Sequence, residues 1–190
     1  MYGGAQPVKG SLYIRTAYRH EPDFSINEIS RQNSPTENVR FRRVIDGDST
    51  VSENYRRLVY ETMAGVYSSA NDAKFVETLR EELIGSVRRS MRRVFEDLIL
   101  KSIADPLETG TFLFEKGTTK SYHYKNLSGG EKAAFDLLLD FHMKKKLFTD
   151  AIYCVDEIET HLHTRVQGEI VRELVRILPD ACQLDLHPKN

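Results

Sequence analysis

Two adjacent carboxylates, Asp156 and Glu157, follow the apolar run Ala151 to Val155. About 20 residues before that run stands Asn126-Leu127-Ser128-Gly129-Gly130-Glu131-Lys132. An apolar run with β-branched and aromatic members reads as a short strand buried on both faces. The acids then sit at its carboxyl end, where open α/β sheets gather their ligands. Neighbouring carboxylates at such an edge are costly unless something cationic is close. Phosphate-bound Mg2+ suits them, with Asp156 holding the metal through water and Glu157 polarising an attacking water. A plain acid pair opening a loop is the competing reading.

The glycine-rich string reads as a turn that opens a helix. Two glycines let an anion approach the backbone closely. The first N–H groups of the helix and its dipole favour a phosphate there, and the Ser128 hydroxyl adds a donor. A helix-capping turn with no ligand is the alternative for Ser-Gly-Gly alone.

The longer string Leu127 to Lys132 resembles the signature motif of ATP-binding cassette ATPases and their relatives in chromosome maintenance and repair. The resemblance implies that Ser128, Gly129 and Gly130 contact the γ-phosphate of ATP held by another subunit, so that they touch nucleotide only in a dimer. Asp156-Glu157-Ile158-Glu159-Thr160-His161-Leu162-His163 is similar to the Asp-Glu-Pro-Glu-x-x-Leu-His-Pro string of the overcoming-lysogenization-defect-like (OLD) and AAA15/AAA21-type ATPases. Ile158 and Thr164 stand where that string has prolines. By this likeness the segment is a D-loop, and Glu159 and His163 become interface or nucleotide-site residues. A zinc reading of His161 and His163 is weaker than an ordinary surface pair, since no cysteine lies at ligand spacing.

The implied fold is α/β, the later part of a P-loop NTPase head of the ATP-binding cassette type, with a helical insert. ATP and Mg2+ are the implied cofactors, and a homodimer or a companion ATPase chain the implied partner. No Gly-x-x-x-x-Gly-Lys-Ser/Thr string occurs in the 190 residues. Gly117-Thr118-Thr119-Lys120-Ser121 is not one, because Thr119 precedes Lys120 and a strand pattern follows. Relatives continue into a strand ending in a switch histidine. Here Asp185-Leu186-His187-Pro188-Lys189-Asn190 is not expected to form that strand, and His187 comes too early for the switch. A shifted reading frame is one explanation, since the codons of Leu-Asp-Leu-His-Pro can spell Trp-Ile-Cys-Thr one register over. Two functions stay open: a partial ATPase, weak or inactive alone, that drives an attached effector, and a non-catalytic interaction module or remnant of one.

A net charge of -1, with 40% apolar and 29% charged residues, fits one modest domain or a piece of a larger one. It provides no overall field toward nucleic acid or membrane. Arg88, Arg89, Arg92 and Arg93 have acids at both ends of the same helix, Glu81-Glu82 and Glu96-Asp97, and read as a solvated face more readily than as a nucleic-acid contact. Lys144 to Lys146 complement a helix dipole. No apolar run spans a bilayer, Met1 to Gly4 do not open a signal peptide, and Cys154 and Cys182 make no disulfide framework. A reducing, cytoplasmic setting is the expectation.

Three segments must position these residues. Residues 1–51 read as irregular, with strands at Leu12 to Arg15 and Val39 to Arg42 and breaks at Pro22 and Pro35. Residues 52–108 read as a helical insert, one helix capped by Ser52 and a longer one over 73–104 ended by Asp105-Pro106. Residues 109–190 read as strands at Phe112 to Glu115 and Tyr122 to Tyr124, a helix over 130–146, the acidic strand, and a helix over 163–178.

Overall fold

The structure, a computed structural model, describes residues 9–15, 22–26, 43–45, 50–106, 108–159 and 162–187. The sequence expectations at Met1 to Gly4, Pro35, Val39 to Arg42 and His161 lie outside these residues. Eleven elements follow in order: β1 (Lys9–Arg15), β2 (Arg43–Ile45), α1 (Thr50–Val66), α2 (Val76–Val94), β3 (Leu98–Ile103), β4 (Phe112–Lys116), β5 (Thr119–His123), α3 (Gly129–Lys144), β6 (Asp150–Asp156), α4 (Thr164–Ile177) and β7 (Gln183–His187). They form a parallel sheet in the order β2-β1-β6-β7 and an antiparallel sheet in the order β3-β4-β5.

The parallel sheet packs one face on α3. Tyr13 of β1 and Tyr153 of β6 are fully buried there, with ring centroids 5.3 Å apart, and Phe141 of α3 stacks on Tyr153 at 5.1 Å. Polar bonds fix the layering. Asp140, fully buried in α3, accepts from Asn54 Nδ2 of α1 at 2.8 Å and from the Tyr13 hydroxyl. A desolvated carboxylate needs such donors, so α1, α3 and β1 are held at one point.

A second aromatic cluster joins the two sheets through α3. Phe135 packs against Phe112 at 4.8 Å and Phe114 at 5.2 Å, and Phe24 packs against Tyr55 at 4.9 Å and Tyr124 at 5.1 Å. Each such ring contributes about 1.5–3 kcal/mol on burial. Gly110 is required at this seam. It has φ +36°, and a Cβ there would lie 2.6 Å from the Phe24 carbonyl oxygen. Any side chain would push residues 22–26 off the core.

Several sequence expectations need correction. The helix expected over 73–104 stops at Val94, and Phe95 takes an extended φ of -125°. Residues 98–103 pair instead with β4, Leu100 opposite Phe114, and non-local hydrogen bonds override a helical spacing. Phe75, inside the span expected to be helical and apolar enough to pack, precedes α2 and is 81% exposed. Ser52 does not cap α1, which begins at Thr50; its hydroxyl accepts the Asp23 amide at 2.9 Å. The run from Gln183 to His187 does form a strand, parallel to β6. Its alternation of half-buried Leu184 and Leu186 with exposed Gln183, Asp185 and His187 supplies the apolar face a strand needs.

β6 is likewise not buried on both faces. Tyr153 and Val155 face the core, while Ile152 and Asp156 are exposed and Cys154 is half-buried. Among the described residues, no helix packs on that second face.

Candidate functional site

The turn before α3 owes its shape to Ser128 and Glu131. Ser128 is the N-cap, with φ -64° and ψ 159°. Its hydroxyl oxygen accepts the Glu131 amide at 3.4 Å, and Glu131 Oε2 accepts the Ser128 amide at 2.8 Å. This reciprocal pair satisfies two donors at the helix start. Glu131 Oε1 takes Lys116 Nζ of β4 at 2.6 Å, which braces the turn against the antiparallel sheet. Burial raises the Glu131 carboxyl, but Lys116 and then the Ser128 amide and hydroxyl outweigh it and hold it below the usual carboxylate range. The same bond raises Lys116 above the usual lysine value. On the other side, the Tyr124 hydroxyl donates to Asp136 at 2.8 Å, and Tyr122 donates to the Asn126 carbonyl at 2.5 Å.

Gly129 lies exposed in the first turn of α3. A Cβ placed on it would meet nothing within 4 Å, and its φ is not positive. The fold therefore makes no demand for glycine at this position. What a glycine offers here is open backbone to something approaching from outside.

Asp156 ends β6, exposed, and Glu157 follows half-buried with φ +47°, the sole non-glycine residue of positive φ among those described. The Glu157 amide donates to the His187 carbonyl oxygen at 2.7 Å, and Asp156 stands in register with His187. β7 thus fixes how the chain leaves β6. The strand that carries His187 has one signal in the sequence, the alternation of Leu184 and Leu186 with polar residues.

After Glu157, Ile158 and Glu159 lie in a turn. Ile158 and Leu162 are buried, and the Leu162 amide bonds the Glu159 carbonyl at 3.0 Å. Ile158 packs into the core at the position of the expected proline. Glu159 is half-buried. His163 is exposed and caps α4, its Nδ1 accepting from the Arg165 amide at 3.4 Å. That bond gives His163 a local structural role.

The arginine cluster is largely spoken for. Arg88 donates to the carbonyls of Leu100 and Lys101, each at 2.6 Å, and Arg93 pairs with Glu173 at 2.7 Å. Glu173 is buried in α4 and also accepts from Arg176 and, at 2.6 Å, from the Ser90 hydroxyl. Ser90 in turn receives His142 Nε2 at 2.8 Å, which puts the proton of the neutral imidazole on Nε2. Burial, then Lys145, Arg89 and Arg93, pull His142 down to about 3.

The family model described as "AAA domain, putative AbiEii toxin, Type IV TA system" matches residues 13–185. No curated protein matches the chain. Solved structures similar to it include an Smc head bound to the C-winged helix domain of ScpA, at 16% identity and TM-score 0.46, covering 72% of this chain and 46% of that one. Another is the Smc head with an extended coiled coil bound to the C-terminal domain of ScpA, derived from Pyrococcus furiosus, at 16% identity and TM-score 0.40, covering 73% and 44%. The chain spans less than half the length of either head. No helix among the described residues is long and apolar enough to cross a membrane.

Proposed function

The chain belongs to this AAA-domain family, α/β proteins of the P-loop NTPase fold that bind and hydrolyse nucleotide, and from that premise we propose that it supplies the signature turn and the metal-side carboxylates of an ATP site completed across a dimer. Gly129 carries the reading: a glycine that the fold does not need, exposed at the start of a well-capped helix. A phosphate could reach the backbone there, and the first N–H groups of α3 have no carbonyl within the helix to bond. The Ser128 hydroxyl, which helps stabilise the Glu131 carboxylate in the cap, could turn its hydrogen to a phosphate oxygen instead.

The carboxylates fit the partner chemistry. Asp156 offers exposed oxygen at a strand end, the hard donor that Mg2+ takes, commonly through water. Mg2+ bound there with ATP would neutralise charge on the phosphates. Glu157 accepts the proton of an attacking water and orients it. Glu159 and His163 line the same exit from β6 and belong to the dimer contact. The partner is a second copy or a companion ATPase chain, and closure of the two drives an attached effector.

The 190 residues hold no phosphate-loop string, and its backbone and lysine supply most of the nucleotide affinity in such sites. Alone, the chain binds ATP weakly and hydrolyses little. Calorimetric titration with ATP and Mg2+ tests this, and micromolar affinity would overturn it. The composite site is tested by joining the chain to the phosphate-loop strand and helix of a family member. ATP should then dimerise it, Glu157→Gln should trap the dimer and Ser128→Arg should abolish it. ATP hydrolysis unaffected by either substitution sinks the reading.

A further inference from the structure

We propose that Cys154, Asp185 and His187 form a binding site for one zinc-class transition-metal ion. The fold brings them together. β6 and β7 run parallel with Cys154 opposite Asp185 and Asp156 opposite His187. Side chains alternate along a strand, so Cys154, Asp185 and His187 all stand on the face turned away from Tyr153 and Val155. The thiol sulfur, a carboxylate oxygen and an imidazole nitrogen lie within 4.8 Å of one another. Ligand atoms around a tetrahedral zinc sit about 3.3–3.8 Å apart, given bonds of about 2.0–2.3 Å. The difference to be closed is about 1–1.5 Å at most.

The donor set decides which ion. Mg2+ takes oxygen ligands and dehydrates reluctantly, so sulfur and imidazole are poor partners for it. Thiolate, imidazole and carboxylate together suit zinc, and three protein ligands leave a fourth position for water. The site is therefore chemically distinct from the oxygen site assigned to Asp156. Access is open, because Asp185 and His187 are each more than half exposed while Cys154 forms the half-buried floor. A simple Asp185–His187 pair, 3.3 Å apart, accounts for two of the three groups. It leaves the free thiol beneath them without a role. The second cysteine is not equivalent: Cys182 lies against the Phe148 carbonyl at 3.4 Å, outside the cluster. An ion bound here would tie the end of β7 to β6, next to the His187 carbonyl that holds the Glu157 amide.

The full chain, reduced and freed of metal, is titrated with Co2+ as a spectroscopic probe and then with Zn2+. One equivalent of Co2+ should give a thiolate-to-cobalt charge-transfer band that Zn2+ displaces. Cys154→Ser should remove the band, and Cys182→Ser and Asp156→Asn should keep it. Asp185→Asn and His187→Gln should each weaken zinc binding about 100-fold. In the unsubstituted chain, zinc should protect Cys154 against alkylation, read by mass spectrometry, and leave Cys182 as reactive as before. This second measurement needs no variant to fold. The proposal is overturned if the unsubstituted chain gives no band, if the band survives Cys154→Ser, or if zinc fails to protect Cys154. Loss of the band in Cys182→Ser or Asp156→Asn would equally overturn the three-residue assignment.

Discussion

The Glu157 amide donates to the His187 carbonyl oxygen at 2.7 Å, while Glu157 itself is held at φ +47°. A left-handed conformation costs a side-chain-bearing residue about 1–2 kcal/mol, and the bond to β7 offsets part of it. Strain is thus kept at the residue read as the water-orienting base. Glu157→Gly should relieve it; against a glycine entropy cost of about 0.5–1 kcal/mol, stability should stay level or rise by up to about 1.5 kcal/mol. Glu157→Gln in the completed ATPase should lower kcat by about 100-fold or more and leave ATP binding in place. Urea unfolding and single-turnover hydrolysis check the two halves. A Gly variant less stable by more than 1 kcal/mol would contradict the strain argument.

Gly129 and Ser128 separate fold from the proposed function at the turn before α3. Gly129→Ala meets no neighbour and needs no change of φ, so it should gain about 0.4–1 kcal/mol by narrowing the unfolded ensemble. In the completed ATPase it should impair ATP-driven dimerisation, because the methyl stands where a phosphate approaches. Ser128→Ala removes the cap of α3 and should cost about 1 kcal/mol. Thermal unfolding and sedimentation with ATP distinguish the two effects.

What the sequence revealed, and what it concealed, has a physical pattern. The capped turn before α3 and the strand ending in acids are legible because local spacing makes them: an N-cap, glycines and a helix, then an apolar run ending in acids. β3 was concealed because Phe95 and Leu98 continue a three-to-four spacing from α2, and only pairing with β4 reveals their strand. β7 was concealed by its polar residues, which occupy one face, while Leu184 and Leu186 supply the other. The exposed second face of β6 was also unreadable, since Ile152 and Cys154 are as apolar as the side chains opposite. The assignments that failed each depended on a partner strand or layer distant in sequence.

The buried relay from His142 through Ser90 to Glu173 gives the fold a pH response. An unfolded chain takes up a proton on this imidazole below about 6.5, whereas the folded chain resists until about 3. The unfolded state holds more protons between these values, so stability falls as pH drops through that window. The loss should be about 2 kcal/mol between pH 7 and pH 5. His142→Gln keeps a donor for Ser90 and removes the titration, so urea midpoints measured across this range should flatten. An unchanged slope would refute the assignment.

Lys116 and Glu131 should govern a separate acid window. Because Glu131 is held below its ordinary value of 4.5, its contribution is complete above that pH and is lost as pH falls below it. In the His142→Gln background the remaining acid loss should therefore begin near pH 4.5. Lys116→Met removes the 2.6 Å bond and leaves Glu131, with a side chain only 9% exposed, short of its charged partner. Such a loss costs about 1–3 kcal/mol when the remaining group stays buried; with Lys116 itself a third exposed, the lower half of that range is expected. Since Glu131 also closes the cap on Ser128, Lys116→Met should loosen the first turn of α3. Amide exchange at Glu131 and Lys132 should quicken while that of β6 does not. Uniform quickening across both elements would mean that the pair supports global stability and has no local hold on the turn.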